Sequence, residues 1–342
     1  MQAWQAMRYG TPSDALALNR IALPVPGVGE VRIHVHAASL NPIDFKLLKG
    51  DLRQLMPMQF PCTIGFDAAG TVDAVGEGSR FAPGDAVFVR ASRNTLGAFA
   101  QYTVQPQQFV ALAPASLDAI GAASLPLVAL TTVQALVDRA QARRGQRILI
   151  HAGSGGLGSF AIQYAHHLGL RVDTTTSSAN VDWVAALGAD RVFAYDREDY
   201  RTAGQVYDIV FDTLGGSHTL DAFDLVKRGG CVVSVAGPPD TQMRARFGRN
   251  ILVRGLMRWM ARKVMARSRA SGVGYFRFLT ESSSEQLAGI AALVEAGAIH
   301  PVLDQSYAFK ELPTTMQALA EGHSRGKLTI RMLDSVPDGG QA

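Results

Sequence analysis

The spacing of apolar residues changes period along the chain. In the first 110 residues it is close to two. Val31, Ile33 and Val35 share one face of Glu30–Ala37, and Arg32, His34 and His36 share the other, as in a half-buried strand. Ala68–Val75, Ala86–Arg90 and Phe99–Val104 read as further short strands. Asn41-Pro42 breaks the chain, and Pro83-Gly84-Asp85 marks a turn. From about Ser124 the pattern alternates instead. Leu127–Arg139 has helical spacing. The stretches Arg147–His151, Arg171–Thr176, Arg191–Ala194, Ile209–Asp212 and Cys231–Ala236 read as strands, with helices predicted over Ser159–Leu168, Val181–Leu187 and Leu220–Val226. Strand and helix alternating at short spacing predict a doubly wound parallel sheet. Leu252, Leu256, Met260 and Val264 then recur every four residues, as do Arg254, Arg258 and Arg262. That is an amphipathic helix, and its simplest reading is a surface helix or partly ordered flap resting on the sheet domain before it. A phosphate-binding or partner role, or a membrane-surface or nucleic-acid role, are the alternatives. Glu285–Glu295 and Lys310–Glu321 read as helices and Lys327–Arg331 as a closing strand.

A length of 342 residues suits about two domains, and 47% apolar residues supply their cores. Two cysteines exclude a disulfide framework or a multi-thiolate zinc site, and a reducing, cytoplasmic setting is expected. The net charge of +4 has one source. Nine Lys/Arg and no acidic residue lie between Arg244 and Arg269, and the rest of the chain is acidic. No run of 18 apolar residues predicts a spanning helix, and the first residues lack the apolar core of a secretion signal.

The most specific motif is Gly153-Ser154-Gly155-Gly156-Leu157-Gly158, between the strand Ile148-Leu149-Ile150 and the next helix. Strand, G-x-G-x-x-G and helix form a dinucleotide fingerprint. Gly153 is expected to permit the tight turn, Gly155 to let backbone approach a pyrophosphate, and Gly158 to let helix and strand pack closely. The helix N-terminus supplies N–H groups and the positive dipole end. The following strand ends Thr174-Thr175-Thr176-Ser177-Ser178 without a carboxylate. Hydroxyls there can donate to a 2'-phosphate, so NADP(H) is favoured over NAD. Asp173 lies too early in the strand for the ribose. His34 and His36 share a strand face, with no third metal ligand evident. Hydrolysis finds no G-x-S-x-G elbow. The bend Asn41–Lys46 holds an amide, a carboxylate and an amine, which suits either a substrate pocket or a capping turn.

These stretches resemble the medium-chain dehydrogenase/reductase superfamily, and more closely its zinc-less quinone oxidoreductase and enone (alkenal) reductase branch. The likeness runs in order through residues 41–50 (NPIDFKLLKG), 65–76 (GFDAAGTVDAVG), 83–85, 97–102 (GAFAQY), 151–158, 187–190 (LGAD), 207–216 (YDIVFDTLGG) and 322–330 (GHSRGKLTI). It implies an α/β chain: a discontinuous, mostly-β GroES-like catalytic domain (1–125 and 272–342) and a Rossmann domain (126–271) that includes the basic segment 244–269. Zinc relatives carry Cys in the first bend and His-Glu later, where this chain has Asn41–Asp44 and Phe66-Asp67. The resemblance assigns Asn41, Asp44 and Lys46 to the substrate side. Lys46, two residues past the Asp where quinone reductases often have Tyr, matches the enone reductases. It assigns Thr131, Thr132, Gly237 and Pro238 to the nicotinamide end of the cofactor and Ser177, Ser178, Asn180 and Tyr195 to the adenosine end. Ala179 stands where some relatives are basic, so Lys327 or a residue of the basic segment is expected to compensate. The implied activity is NADPH-dependent reduction of a quinone or an α,β-unsaturated carbonyl, in a possible homodimer with no nucleic-acid partner. A non-catalytic NADPH-binding regulatory or RNA-binding protein, and an alcohol dehydrogenase-type enzyme, are the alternatives.

Overall fold

The computed structural model describes residues 1–54, 56–248, 251–322 and 324–332. Arg249 of the basic segment, His323 of the 322–330 stretch and the tail 333–342 lie outside the described residues. The chain divides into two units, Met1–Leu130 with Glu281–Ala342, and Thr131–Thr280.

The first unit opens with strands β1 (Gln2–Ala6), β2 (Leu16–Arg20), β3 (Glu30–Ser39), β4 (Cys62–Thr63), β5 (Asp67–Val75), β6 (Ala86–Arg90), β7 (Tyr102–Pro106) and β8 (Val110–Leu112). In β3, Val31, Ile33 and Val35 are buried as their alternation predicts. His36 stays exposed, and past a register shift between Val35 and Ala37 both Ala37 and Ala38 are buried. The bend at Asn41-Pro42 is the start of a helix, Pro42–Lys49, not a loop. Proline suits the first helical position, where its missing N–H costs nothing.

The second unit holds β9 (Arg147–Ile150), β10 (Arg171–Thr176), β11 (Arg191–Ala194), β12 (Tyr207–Asp212), β13 (Val226–Ser234) and β14 (Gly274–Arg277). All pair in parallel, in the order β11-β10-β9-β12-β13-β14. This is the doubly wound arrangement whose order reverses beside the first strand. Leu149, Phe193, Val210, Val232 and Tyr275 form its core with Phe223 and Val264 from the helices. Because β14 pairs with β13, the unit reaches Thr280 rather than residue 271.

The chain then returns to the first unit with β15 (Leu303–Ala308) and β16 (Lys327–Arg331). β16 pairs antiparallel with β3 and parallel with β15, within the sheet β15-β16-β3-β5-β6-β8. Phe309, Leu312, Met316, Leu328 and Ile330 bury among Val31, Ile33, Ile64 and Phe99. That shared core makes one unit from two distant pieces of sequence.

Helical spacing over Leu127–Arg139 resolves into an α-helix, Pro126–Val133, continued by a π-helical turn, Gln134–Arg139. The basic segment forms a helix over Ile251–Ser271. Its docked residues are Met257, Ala261 and Val264, whereas Leu252, Leu256 and Met260 of the predicted stripe are exposed. A strict four-residue repeat drifts about 40° per step around a helix of 3.6 residues per turn. Only its last member, Val264, therefore reaches the core.

Candidate functional site

In the second unit the glycine turn joins β9 to a helix, Gly156–His167, with Gly155 as N-cap. The left-handed backbone angle falls on Ala152 (φ 56°), not on a glycine of the motif. Gly153 is required for space instead: a Cβ there would meet Thr174 Oγ1 at 2.3 Å. At Gly158 a Cβ would meet the Ala152 carbonyl oxygen at 2.2 Å. Gly155 has nothing nearer than 3.5 Å, so the space beside it is open. The turn is pinned from β10. Thr174 Oγ1 donates to the Ile150 carbonyl at 2.7 Å, and the Ala152 N–H donates to Thr175 Oγ1 at 3.1 Å. Thr174 and Thr175 are thus buried supports of the turn, not donors for a phosphate.

Ser177, Ser178 and Asn180 lie just past β10. Asn180 Nδ2 donates to Ser177 Oγ at 3.0 Å and Asn180 Oδ1 accepts from Trp183 Nε1 at 3.1 Å, while Tyr195 is exposed. Asp173 is buried and accepts from Arg147 at 2.6 Å and from Tyr207 Oη at 2.7 Å. It is spent inside the sheet. The carboxylate that does reach the end of β10 is Asp196. It accepts from the Ser178 N–H at 2.8 Å and Ser178 Oγ at 2.6 Å, and these bonds hold its carboxyl below the ordinary range. No local signal in the sequence marks it, because it follows β11 and arrives only through the β10–β11 pairing.

Beneath the turn, buried His151 faces Asp212, with Nδ1 3.4 Å from Oδ1. Asp212 also accepts from the Gly215 N–H (2.9 Å), Thr219 Oγ1 (2.5 Å) and Ser234 Oγ (2.8 Å). Burial opposes its charge, but His151, Thr219 and Gly215 outweigh burial and hold the carboxyl well below the ordinary range. Ser234 Oγ in turn accepts from the Gly237 N–H at 2.7 Å, and Tyr275 Oη donates to the Pro238 carbonyl at 2.6 Å. The Gly237-Pro238 turn is therefore held from β13 and β14. Thr131 Oγ1 lies 2.7 Å from Thr280 Oγ1. Thr132 Oγ1 is buried without a protein partner.

The first unit holds a separate buried polar cluster at the start of the Pro42–Lys49 helix. Asp44 closes back on the Asn41 N–H at 2.8 Å. Asn41 Nδ2 donates to Asp67 Oδ2 at 2.9 Å, and Asn41 Oδ1 accepts from Lys327 Nζ at 2.5 Å. Lys327 Nζ also donates to the Leu40 carbonyl at 3.0 Å and lies 3.6 Å from Asp67. Nearby, the Arg90 guanidinium covers the Phe66 ring at 5.0 Å and donates to Ser282 at 3.0 Å. Burial, and then the neighbouring Asp67, push the Asp44 carboxyl up to about 7. Burial raises Asp67 and lowers Lys327, each opposed by the other's charge. Lys327 is 5% exposed, so its ammonium serves this cluster and is not available to a cofactor phosphate, contrary to expectation. Lys46 sits on the same helix but points to solvent. The structure thus joins Asn41 and Asp44 and leaves Lys46 outside. Among the described residues, no three His, Cys, Asp or Glu side chains could hold a metal ion together.

A discontinuous β unit and a Rossmann unit with an open glycine turn define a two-unit nucleotide-dependent dehydrogenase or reductase. Residues 27–115 match the alcohol dehydrogenase GroES-like domain and residues 187–330 the zinc-binding dehydrogenase family. A chloroplastic quinone-oxidoreductase homolog of Spinacia oleracea is 38% identical over 226 residues, covering 63% of this chain and 69% of that protein. A chloroplastic NADPH-dependent alkenal/one oxidoreductase of Arabidopsis thaliana is 29% identical over 344 residues, covering 96% and 79%. The structure of the quinone oxidoreductase from Coxiella burnetii superimposes with a TM-score of 0.84 at 30% identity, covering 97% of this chain and 99% of that one. The chain belongs to the medium-chain dehydrogenase/reductase superfamily, in its quinone/enone oxidoreductase branch.

Proposed function

We propose that the chain reduces quinones, or the activated double bond of enones and alkenals, by metal-independent hydride transfer from NADPH. The observation that carries the reading is the glycine turn. Protein atoms fill the space at Gly153 and Gly158 and leave Gly155 open, at the N-terminus of a twelve-residue helix. The relatives described as quinone and as NADPH-dependent alkenal/one oxidoreductases support the substrate class.

On the second unit, Gly153 to Gly158 hold the pyrophosphate. Ser177, Ser178, Asn180 and Tyr195 take the adenosine end, and Thr131, Thr132, Gly237 and Pro238 take the nicotinamide end. When bound, the nicotinamide supplies the hydride. On the first unit, Lys46 is the donor to the oxyanion that develops on the carbonyl, and the source of the proton that completes reduction. Asn41 and Asp44 are positioning residues that fix the start of its helix. Two free thiols, Cys62 and Cys231, suit a reducing compartment such as the cytoplasm. Family resemblance favours a homodimer, which light scattering checks. No helix among the described residues is long and apolar enough to cross a membrane.

The test is consumption of NADPH against NADH across a panel of enones, alkenals, quinones and alcohols, with the products identified. Titration of neither dinucleotide into folded protein refutes the reading. In the same assay Lys46→Ala is expected to lose about 10²-fold or more in turnover with NADPH affinity intact. Unchanged turnover of every substrate removes Lys46 from the scheme.

A further inference from the structure

The helix Ile251–Ser271 has two apolar faces, and its own unit covers one. Met257, Ala261 and Val264 are buried, with Val264 in the sheet's core. On the other side Leu252 is 80% exposed, Leu256 55%, Trp259 61% and Met260 50%. At about 100° per residue, Leu252, Leu256 and Trp259 fall within about 60° of one line along the helix. Lys263 continues that line toward the C-terminus, and Arg258 and Arg262 lie along one side of it. The helix contains six Lys/Arg and no acidic residue. Three of the six have partners within the unit. Arg262 covers the Trp259 ring at 4.3 Å, Arg254 donates to the Gly248 carbonyl at 2.7 Å, and Arg267 pairs with Asp224. Arg258, beside the apolar line, and Lys263, on its continuation, are both exposed.

A contiguous exposed apolar stripe that includes a tryptophan marks a contact surface. The charge pattern selects the occupant. A second copy would set like charge against like charge around the stripe. A nucleic acid would neutralise the cations but leave Leu252, Leu256 and Met260 in water. Only an interface that is anionic outside and apolar beneath satisfies both features of the helix. We propose that this helix seats the protein on an anionic phospholipid surface. Trp259, Leu256, Leu252 and Met260 enter the headgroup boundary, and Arg258, Arg262 and Lys263 meet lipid phosphates. This goes beyond hydride transfer and does not depend on it.

The test uses the full chain and sedimenting vesicles, either pure phosphatidylcholine or about one-third phosphatidylglycerol. Binding is expected to the anionic vesicles and to be at least tenfold weaker to the neutral ones. It should fall, without vanishing, as salt rises. Tryptophan emission should shift to the blue on binding, and Trp259→Phe should abolish the shift although Trp4 and Trp183 remain. Arg258→Glu with Lys263→Glu, and separately Leu256→Ser with Trp259→Ser, should each weaken binding at least tenfold, with the parent's circular dichroism and melting temperature retained. The proposal is overturned by equal partition to both vesicle types or by failure to bind anionic vesicles. Binding unaffected by either pair of substitutions, or capture by a polyanion such as single-stranded RNA without vesicle binding, also overturns it.

Discussion

Replacing Lys327 by methionine keeps most of the side chain's volume and removes its charge. Asp67 is then left fully buried, without the ammonium 3.6 Å away. The Leu40 carbonyl and Asn41 Oδ1 lose the donor that reached them at 3.0 and 2.5 Å. Stranding one member of a buried ion pair costs about 3–5 kcal/mol. In a domain of this size each kcal/mol moves the melting temperature by about 2–4 °C, so the fall is roughly 6–20 °C. Burial raises the Asp67 carboxyl, and without its cation the folded state holds a proton that the unfolded state releases. The variant should therefore lose stability as pH rises above the ordinary carboxylate range. Adding Asp67→Asn removes the stranded charge and should recover more than half of the loss. Calorimetry and urea unfolding of the parent, both single variants and the double variant close a thermodynamic cycle. If Lys327→Met melts within a degree or two of the parent, or the two losses simply add, the account of a mutually dependent cluster is wrong.

Asp44 gives the fold an acid-side advantage. Its folded carboxyl titrates at about 7 against an ordinary value of 3.8, so this contribution is present at low pH and is lost as pH rises toward 7. Urea midpoints at pH 5 and pH 8 should differ in that direction, by a few kcal/mol at most, and Asp44→Asn should shrink the difference. Gly158→Ala places a Cβ 2.2 Å from the Ala152 carbonyl oxygen. It should weaken dinucleotide binding by about tenfold or more, measured by fluorescence titration, and affinity equal to the parent's would contradict the close-packed turn. Asp196→Asn removes a carboxylate bonded to Ser178. A unit charge about 4 Å from a phosphate in water is worth about 1 kcal/mol. The ratio of kcat/KM for NADPH over NADH should rise about fivefold, and an unchanged ratio would place the 2'-phosphate away from Ser178.

Elements with strong local signals were legible in the chain. Arg171–Thr176, Arg191–Ala194 and Lys327–Arg331 are strands with the boundaries that their pattern predicts. The glycine turn lies between β9 and a helix as its spacing requires. Such signals are local because a strand's alternation, a turn's glycines and a helix's spacing act within a few residues. Capping also belongs there: Asn41 and Asp44 meet because they are three apart. What no local pattern carries is which polar group finds which partner across the fold. Asn41 and Lys327 are 286 positions apart, and His151 and Asp212 are 61 apart. Sheet order brings them together. The same holds for Asp196, delivered to Ser178 by the neighbouring strand, and for the basic helix, whose composition was plain. Its docked face was decided by the rotation at which Met257, Ala261 and Val264 met the sheet. Sequence alone settled the two-part architecture and the place of the glycine turn between strand and helix. Tertiary packing decided which charged and apolar groups stayed available, because availability is what remains after long-range partners have been assigned.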